Sequence, residues 1–395
     1  MKFRWPLLLI LFFSQALKAQ PSSFEDIQAA VGDYRYGQAL ELLEDLPDSL
    51  RNSYAYYQLA AVVYRNTGQA DRALHSYQEA MSADSVALAP LILSAQIEQS
   101  RQHYSEALGW YQKALNRDTN NAYIYRQLAR LYLQNREPAR SIACLQKVLE
   151  LEVENKEARV QLIKLYIDQQ VYERADTMSR EAIKEDPSQQ QFWQLACLSA
   201  FRQKAYASTW KYGQGAFRNG ADSTKALMRI VGVAAYHRNS LDTAHLLLVK
   251  ALLAGDESEN VFFYLGQIAQ AQEFPARAEA YFRQAIKAGM SEALGVYELH
   301  LAFSLDDQEK YTEAIPFYQQ AYAKNPSVVI LYYLARDYDE AYRDKTLAIR
   351  YYQRFLNESN NSYYEYSQYA KERISELKRI QHFRDGALSP EPETP

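Results

Sequence analysis

Residues 262–288 read FFYLGQIAQAQEFPARAEAYFRQAIKA. The dipeptide Phe274-Pro275 separates two blocks rich in small and aromatic residues. In the second block Ala278, Phe282 and Ala285 stand four and three residues apart, a spacing that places all three on one helix face. The same small, aromatic, small order recurs as Ala73, Tyr77, Ala80, as Ala107, Tyr111, Ala114, and as Ala314, Tyr318, Ala321. Weaker copies are Ala39, Leu43, Leu46; Ser141, Leu145, Val148; Ala175, Ser179, Ala182; Ala244, Leu248, Ala251; and Ala348, Tyr352, Phe355. A degenerate copy is Thr209, Gly213, Ala216. The first members fall at 39, 73, 107, 141, 175, 209, 244, 278, 314 and 348, so every step is 34 residues apart from one of 35 and one of 36. The opening stretch is therefore one copy of a unit present ten times. A single hairpin of two helices cannot bury its apolar face alone, and the period predicts that successive hairpins stack.

Composition agrees with such an array. The chain has 395 residues, of which 48% are hydrophobic and 23% charged, enough apolar content to fold. It carries 33 Tyr against 13 Gly and 12 Pro, which suits helices with packed interfaces and few breakers. A formal charge of −4 argues against a nucleic-acid partner, which calls for a basic face. Cys144 and Cys197 are too few for a disulfide framework, and read as two buried small apolar residues.

The residues between the trios carry a family resemblance. Tyr125, Leu128, Ala129 and Tyr132 follow the order aromatic, Leu, small, Tyr; Phe262, Leu265, Gly266 and Ala269 follow it with Ala in the last place. Trp193, Ala196, Cys197 and Ala200 form a further copy. Pro187 and Pro326 close repeats, and Tyr36, Tyr104, Tyr172, Tyr206, Tyr311, Pro138 and Pro275 stand three residues before a trio. With the period, these motifs resemble the tetratricopeptide repeat (TPR) family over roughly residues 23–360. Individual copies are degenerate, and their phasing carries the likeness. The resemblance implies an all-α fold: a right-handed superhelical solenoid of about ten hairpins over residues 20–361. A C-terminal capping helix at 362–384 carries the stripe Tyr366, Ala370, Ile374 and Leu377. The Pro-rich tail 385–395 is expected to be disordered. Gly213 leaves one repeat without its aromatic, and Pro316 lies inside a helix, where it should remove one backbone bond.

The first twenty residues, MKFRWPLLLILFFSQALKAQ, have the order of a secretory signal peptide: Lys2 and Arg4, an apolar run from Leu7 to Phe13, then small and polar residues to Ala19. The run is shorter than the roughly 20 residues a membrane-spanning helix needs. Cleavage after Ala19 takes away Lys2, Arg4 and Lys18, leaving 41 basic against 48 acidic residues. The expectation is export across an inner membrane to a periplasm, with no membrane span in the mature chain.

Chemistry is hard to find. His75, His103, His237, His245, His300 and His382 form no metal-ligand spacing. The Gly-rich run GQGAFRNG at 213–220 lies in a second helix and its turn with no strand before it, so it lacks the context of a dinucleotide loop. No catalytic residue, metal or cofactor is expected. Function is expected instead on the concave face that stacked repeats provide. The resemblance implies that first-helix residues line this face and bind extended peptides or partner helices.

Two first-helix patches are candidates for partner binding. One is Tyr123, Arg126, Gln127, Arg130, Gln161 and Lys164, whose cations and amides suit a peptide backbone with an acidic group. The other is Asn260, Phe263, Tyr264, Gln267 and Gln270, with Phe263 expected in inter-repeat packing. Pairs such as Gln58 with Val62, Ile92 with Gln96 and Val160 with Lys164 retain only fragments of the family's two-carboxylate clamp. The ten Tyr between 332 and 369 exceed what the repeat core requires and suggest an exposed aromatic end. The leading expectation is a non-enzymatic interaction scaffold in the bacterial envelope. The alternative is glycan or small-ligand capture, although the chain lacks the lipid-bearing Cys and the binding insert of such proteins.

Overall fold

The computed structural model describes residues 23–220, 224–289, 292–359 and 363–387. The expected signal peptide and residues 388–395 of the expected tail lie outside the described residues, while 385–387 of that tail continue the last helix. Among the described residues every regular element is helical. The chain divides into two compact units, residues 1–165 and 166–395.

The first unit contains the hairpins α1 (Phe24–Gly32) with α2 (Tyr36–Glu44), α3 (Tyr54–Asn66) with α4 (Ala70–Ala83), α5 (Ala89–Ser100) with α6 (Tyr104–Arg117), and α7 (Ala122–Gln134) with α8 (Pro138–Leu151). A short 3-10 turn, Asp48–Leu50, precedes α3. Helix α9 (Lys156–Asp168) spans the division and is followed by α10 (Tyr172–Glu185). The second unit continues with α11 (Gln190–Arg202) and α12 (Tyr206–Arg218), α13 (Lys225–His237) and α14 (Leu241–Leu253), and α15 (Glu259–Ala271) and α16 (Pro275–Ala288). Then come α17 (Leu294–Asp306) and α18 (Tyr311–Lys324), α19 (Val328–Ala341) and α20 (Thr346–Ser359), and finally α21 (Tyr364–Ala387). Among the described residues the fold is all-α: ten helix pairs, each joined by a turn, and a last single helix.

Local signals set the helix ends. Tyr36, Tyr104, Pro138, Tyr172, Tyr206, Pro275 and Tyr311 are each the first residue of a second helix. Proline suits that place because its missing N–H would have no partner in the first turn. Ser53 Oγ accepts from Tyr56 N at 3.1 Å and Asn121 Oδ1 from Ile124 N at 3.2 Å, which caps α3 and α7. Helix α18 runs through Pro316.

Nine of the turns between paired helices have one design, and the turn from α19 to α20 does not share it. Tyr34, Gly68, Gln102, Arg136, Gln170, Lys204, Asn239, Glu273 and Glu309 all have positive φ. The N–H of the next residue reaches back five positions, as in His103 N to Glu98 O at 2.9 Å and Phe274 N to Ala269 O at 2.9 Å. A left-handed residue followed by this six-to-one bond is the Schellman closure of a helix. Gly68 alone among these nine is a glycine.

All three members of every trio are buried. Tyr77, Tyr111, Phe282, Tyr318 and Tyr352 have no exposed surface. Each second-helix residue of this kind needs room in the helix before it. A Cβ on Gly266 would meet Phe282 Cε1 at 2.6 Å, and one on Gly232 would meet Leu248 Cγ at 3.0 Å. Ala61 shares a core with Tyr77, and Ala302 with Tyr318. The degenerate repeat is filled differently: Val231 lies over Gly213, and the indole of Trp193 lies over Gly215.

Ion pairs fasten single hairpins. Arg126 on α7 meets Glu152 after α8 at 2.8 Å, Arg229 on α13 meets Asp256 after α14 at 2.8 Å, and Glu298 on α17 meets Lys324 at the end of α18. Both cysteines are free and buried, and burial raises the two thiols to about 11 for Cys144 and about 12 for Cys197. At the far end Ala370, Ile374 and Leu377 of α21 pack on Tyr332, Tyr352 and Phe355. Arg373 holds Asp339 through Nε at 2.6 Å and Nη2 at 3.3 Å, which ties α21 to α19. Among the described residues no helix is long and apolar enough to cross a membrane.

Candidate functional site

The first-unit patch is divided by its own contacts. Tyr123 Oη accepts from Gln96 Nε2 of α5 at 2.8 Å. Arg126 is committed to Glu152, which also accepts from Asn155. Gln161 Nε2 donates to Glu157 Oε1 at 3.1 Å, one turn back on its own helix. Arg130 and Lys164 remain exposed, and they stand one 34-residue step apart. Arg130 reaches Gln127 Oε1 only at 3.5 Å. The surface therefore offers two cations at repeat-equivalent places, with Gln127 beside one of them.

The second patch is more enclosed than its residue types suggest. Tyr264 Oη lies 3.0 Å from His237 Nε2 on α13. Gln267 Oε1 accepts from Tyr236 Oη at 3.0 Å, while Gln267 Nε2 is buried with no partner among the described residues. Gln270 Oε1 lies 3.3 Å from His300 Nδ1 on α17 and so accepts from it, and Gln270 also bonds the Asp307 carboxylate. These three side chains stitch α15 to α13 and α17. Phe263 packs against Phe282, Tyr297 and His300, as expected of an inter-repeat residue. Asn260 is exposed at the start of α15.

Electrostatically this seam is quiet. Burial, with neighbouring tyrosines, raises the Tyr264 phenol to about 12. Burial lowers His300 to about 4 and also lowers His237, so both rings are neutral at pH 7. Sequence reasoning missed Tyr206, Tyr236 and His237. The His237 ring stacks on Tyr206 at 3.9 Å, and Tyr236 meets Tyr264 edge to face at 5.2 Å.

The Tyr-rich end splits between core and surface. Tyr352 is fully buried and Tyr332 nearly so, while Tyr338 stacks on Tyr351 at 5.3 Å. Tyr363, Tyr364, Tyr366 and Tyr369 are exposed, Tyr364 most of all at 76%.

Tetratricopeptide repeat models match residues 54–86, 122–153 and 263–329. No curated protein sequence matches the chain. Among solved structures, a tetratricopeptide repeat protein from Parabacteroides merdae is similar at 19% identity, over 64% of this chain and 98% of that one, with a TM-score of 0.42. A TPR repeat-containing protein from Cytophaga hutchinsonii, in its C-terminal part, is similar at 15% identity over 70% and 99%, with a TM-score of 0.44. Pseudomonas aeruginosa pilF is similar at 19% identity over 55% and 96%, with a TM-score of 0.44.

Proposed function

The chain is a tetratricopeptide repeat protein, and from that premise we propose that it is a non-enzymatic scaffold, exported to a bacterial envelope, that holds partner proteins on its first helices. Repeats of this family support an interaction scaffold. The periplasmic location rests on the order of residues 1–19. The observation that carries the binding reading is the pair Arg130 and Lys164, exposed one repeat apart with Gln127 alongside. A partner segment with acidic side chains would lie across successive first helices, its carboxylates on the two cations and its backbone on the amide.

The second-unit seam supports this choice by contrast. Tyr264, Gln267 and Gln270 are engaged with neighbouring helices, and the rings of Tyr236, Phe263 and His237 surround Tyr264. Those aromatics face one another, which weakens the case for glycan capture there.

Crosslinking in native envelopes, followed by mass spectrometry, tests the proposal. Arg130→Glu with Lys164→Glu should strip at least one crosslinked protein while the melting temperature holds. An unchanged crosslink pattern would sink the assignment.

A further inference from the structure

The second helices carry another kind of groove. Between α4 and α6 an open groove of about 440 Å³ is floored by Met81, Leu91 and Trp110. Lys113 and Arg117 form its rim, with the amides of Gln78 and Asn116. Between α12 and α14 a groove of about 500 Å³ uses repeat-equivalent positions: Gln214 for Gln78, Phe217 for Met81 and Leu247 for Trp110. The period thus builds a cleft between neighbouring second helices as well as a first-helix face.

We propose that the α4–α6 groove binds an acidic peptide segment of a partner protein, anchored by one large apolar side chain. Charge complementarity selects this occupant. The lining holds two cations, two amides and no carboxylate, on a chain whose net charge is −4. Both cations are held in place. Lys113 Nζ sits over the Trp110 ring, 4.2 Å from its centroid, and Arg117 Nη1 donates to the carbonyl of Ala87. Trp110 and Met81 are half-buried above the buried Leu91, and they give an apolar anchor a surface to cover. An aromatic floor with a cationic rim is the composition that concentrates binding energy at interfaces. The α12–α14 groove lacks this balance: its single cation, Arg218, donates through Nε to the Gln214 carbonyl of its own helix.

The test is fluorescence anisotropy of the full chain with a rhodamine-labelled octapeptide in which leucine and phenylalanine are flanked by glutamates. A second peptide with lysines replacing the glutamates is the control. The glutamate peptide should bind saturably, and Lys113→Glu with Arg117→Glu should weaken it by about tenfold or more. Arg130→Glu with Lys164→Glu reports any binding at the first-helix cations separately, and Lys371→Glu with Arg379→Glu, exposed on α21, should leave the affinity unchanged. Helical circular dichroism confirms that each variant is folded. The proposal is overturned by no binding of the glutamate peptide, by equal binding of the lysine peptide, or by loss only in the Arg130 and Lys164 variant. That last outcome would leave the first-helix reading standing.

Discussion

Gly266 and Phe282 are in contact across one hairpin, and the absence of a single carbon makes the contact possible: a Cβ on Gly266 would lie 2.6 Å from the Phe282 ring. Phe282 has no exposed surface, so the ring cannot escape to solvent. Gly266→Ala should therefore cost about 1–3 kcal/mol, the usual price of overpacking a filled core. Phe282→Leu should cost stability alone yet recover part of the loss in the double variant, as Ala129 and Leu145 are buried together at the equivalent places four repeats earlier. Urea unfolding of the four proteins measures the coupling. Strict additivity would show that the two residues do not constrain each other.

The Arg229–Asp256 pair makes a pH-dependent prediction. Burial raises the Asp256 carboxyl, but hydrogen bonds from Ser258 and Arg229 outweigh it and leave the group below its ordinary value. A depressed carboxylate contributes stability above the unfolded value, near 4, and loses it as pH falls through the folded value. Arg229→Met should cost about 1–3 kcal/mol at pH 7, because Asp256 is left nearly buried without its cation. The gap from the parent protein should close in melts taken progressively below pH 4.

Asp337 behaves in the opposite sense. Its side chain has no exposed surface, both carboxylate oxygens lack a hydrogen-bond partner among the described residues, and Arg336 Nη2 stands off at 3.8 Å. Burial raises the acid to about 7, Arg336 opposing and Glu340 adding to the shift. The folded chain keeps this proton where the unfolded chain releases it, so stability should fall as pH rises from about 4 to about 7. The full penalty is on the order of 4 kcal/mol. Asp337→Asn should flatten that slope and raise the melting temperature at pH 8; an identical slope would remove Asp337 as its source.

The hairpin turns hold stability in reserve. A side chain at Glu273 occupies φ of 62°, where L-residues with a Cβ are strained by about 1–2 kcal/mol. Glu273→Gly should stabilise by up to about 1 kcal/mol, part of the relief being returned as unfolded-chain entropy. Gly68→Ala, at φ of 79°, should destabilise by a similar amount. Differential scanning calorimetry of the two variants reads both signs.

The hairpins were legible because their determinants are local and repeated. The trio positions are buried throughout, and the seven Tyr and Pro residues in the place before them begin their helices. The degenerate repeat was harder, since its missing ring at Gly213 is compensated by Val231 from the next hairpin, which no pattern within the repeat reveals. The candidate faces were legible as positions but not as free groups. Arg126 and Lys164 are alike in sequence as first-helix cations, yet Glu152 claims Arg126 from 26 residues away. Gln270 similarly reads as a surface amide until His300 and Asp307 are folded against it. Partner choice between polar side chains depends on three-dimensional neighbours, and period alone does not encode it.

The shared turn also has a genetic consequence. Gln102 and Arg136 occupy the same point of two successive turns, with φ of 63° and 59°. Excising the codons between them would rejoin like backbone to like backbone and leave every remaining hairpin in phase. Recombination can thus lengthen or shorten this protein in whole modules without inventing a new loop, and its reach along a partner becomes a quantity that duplication can adjust.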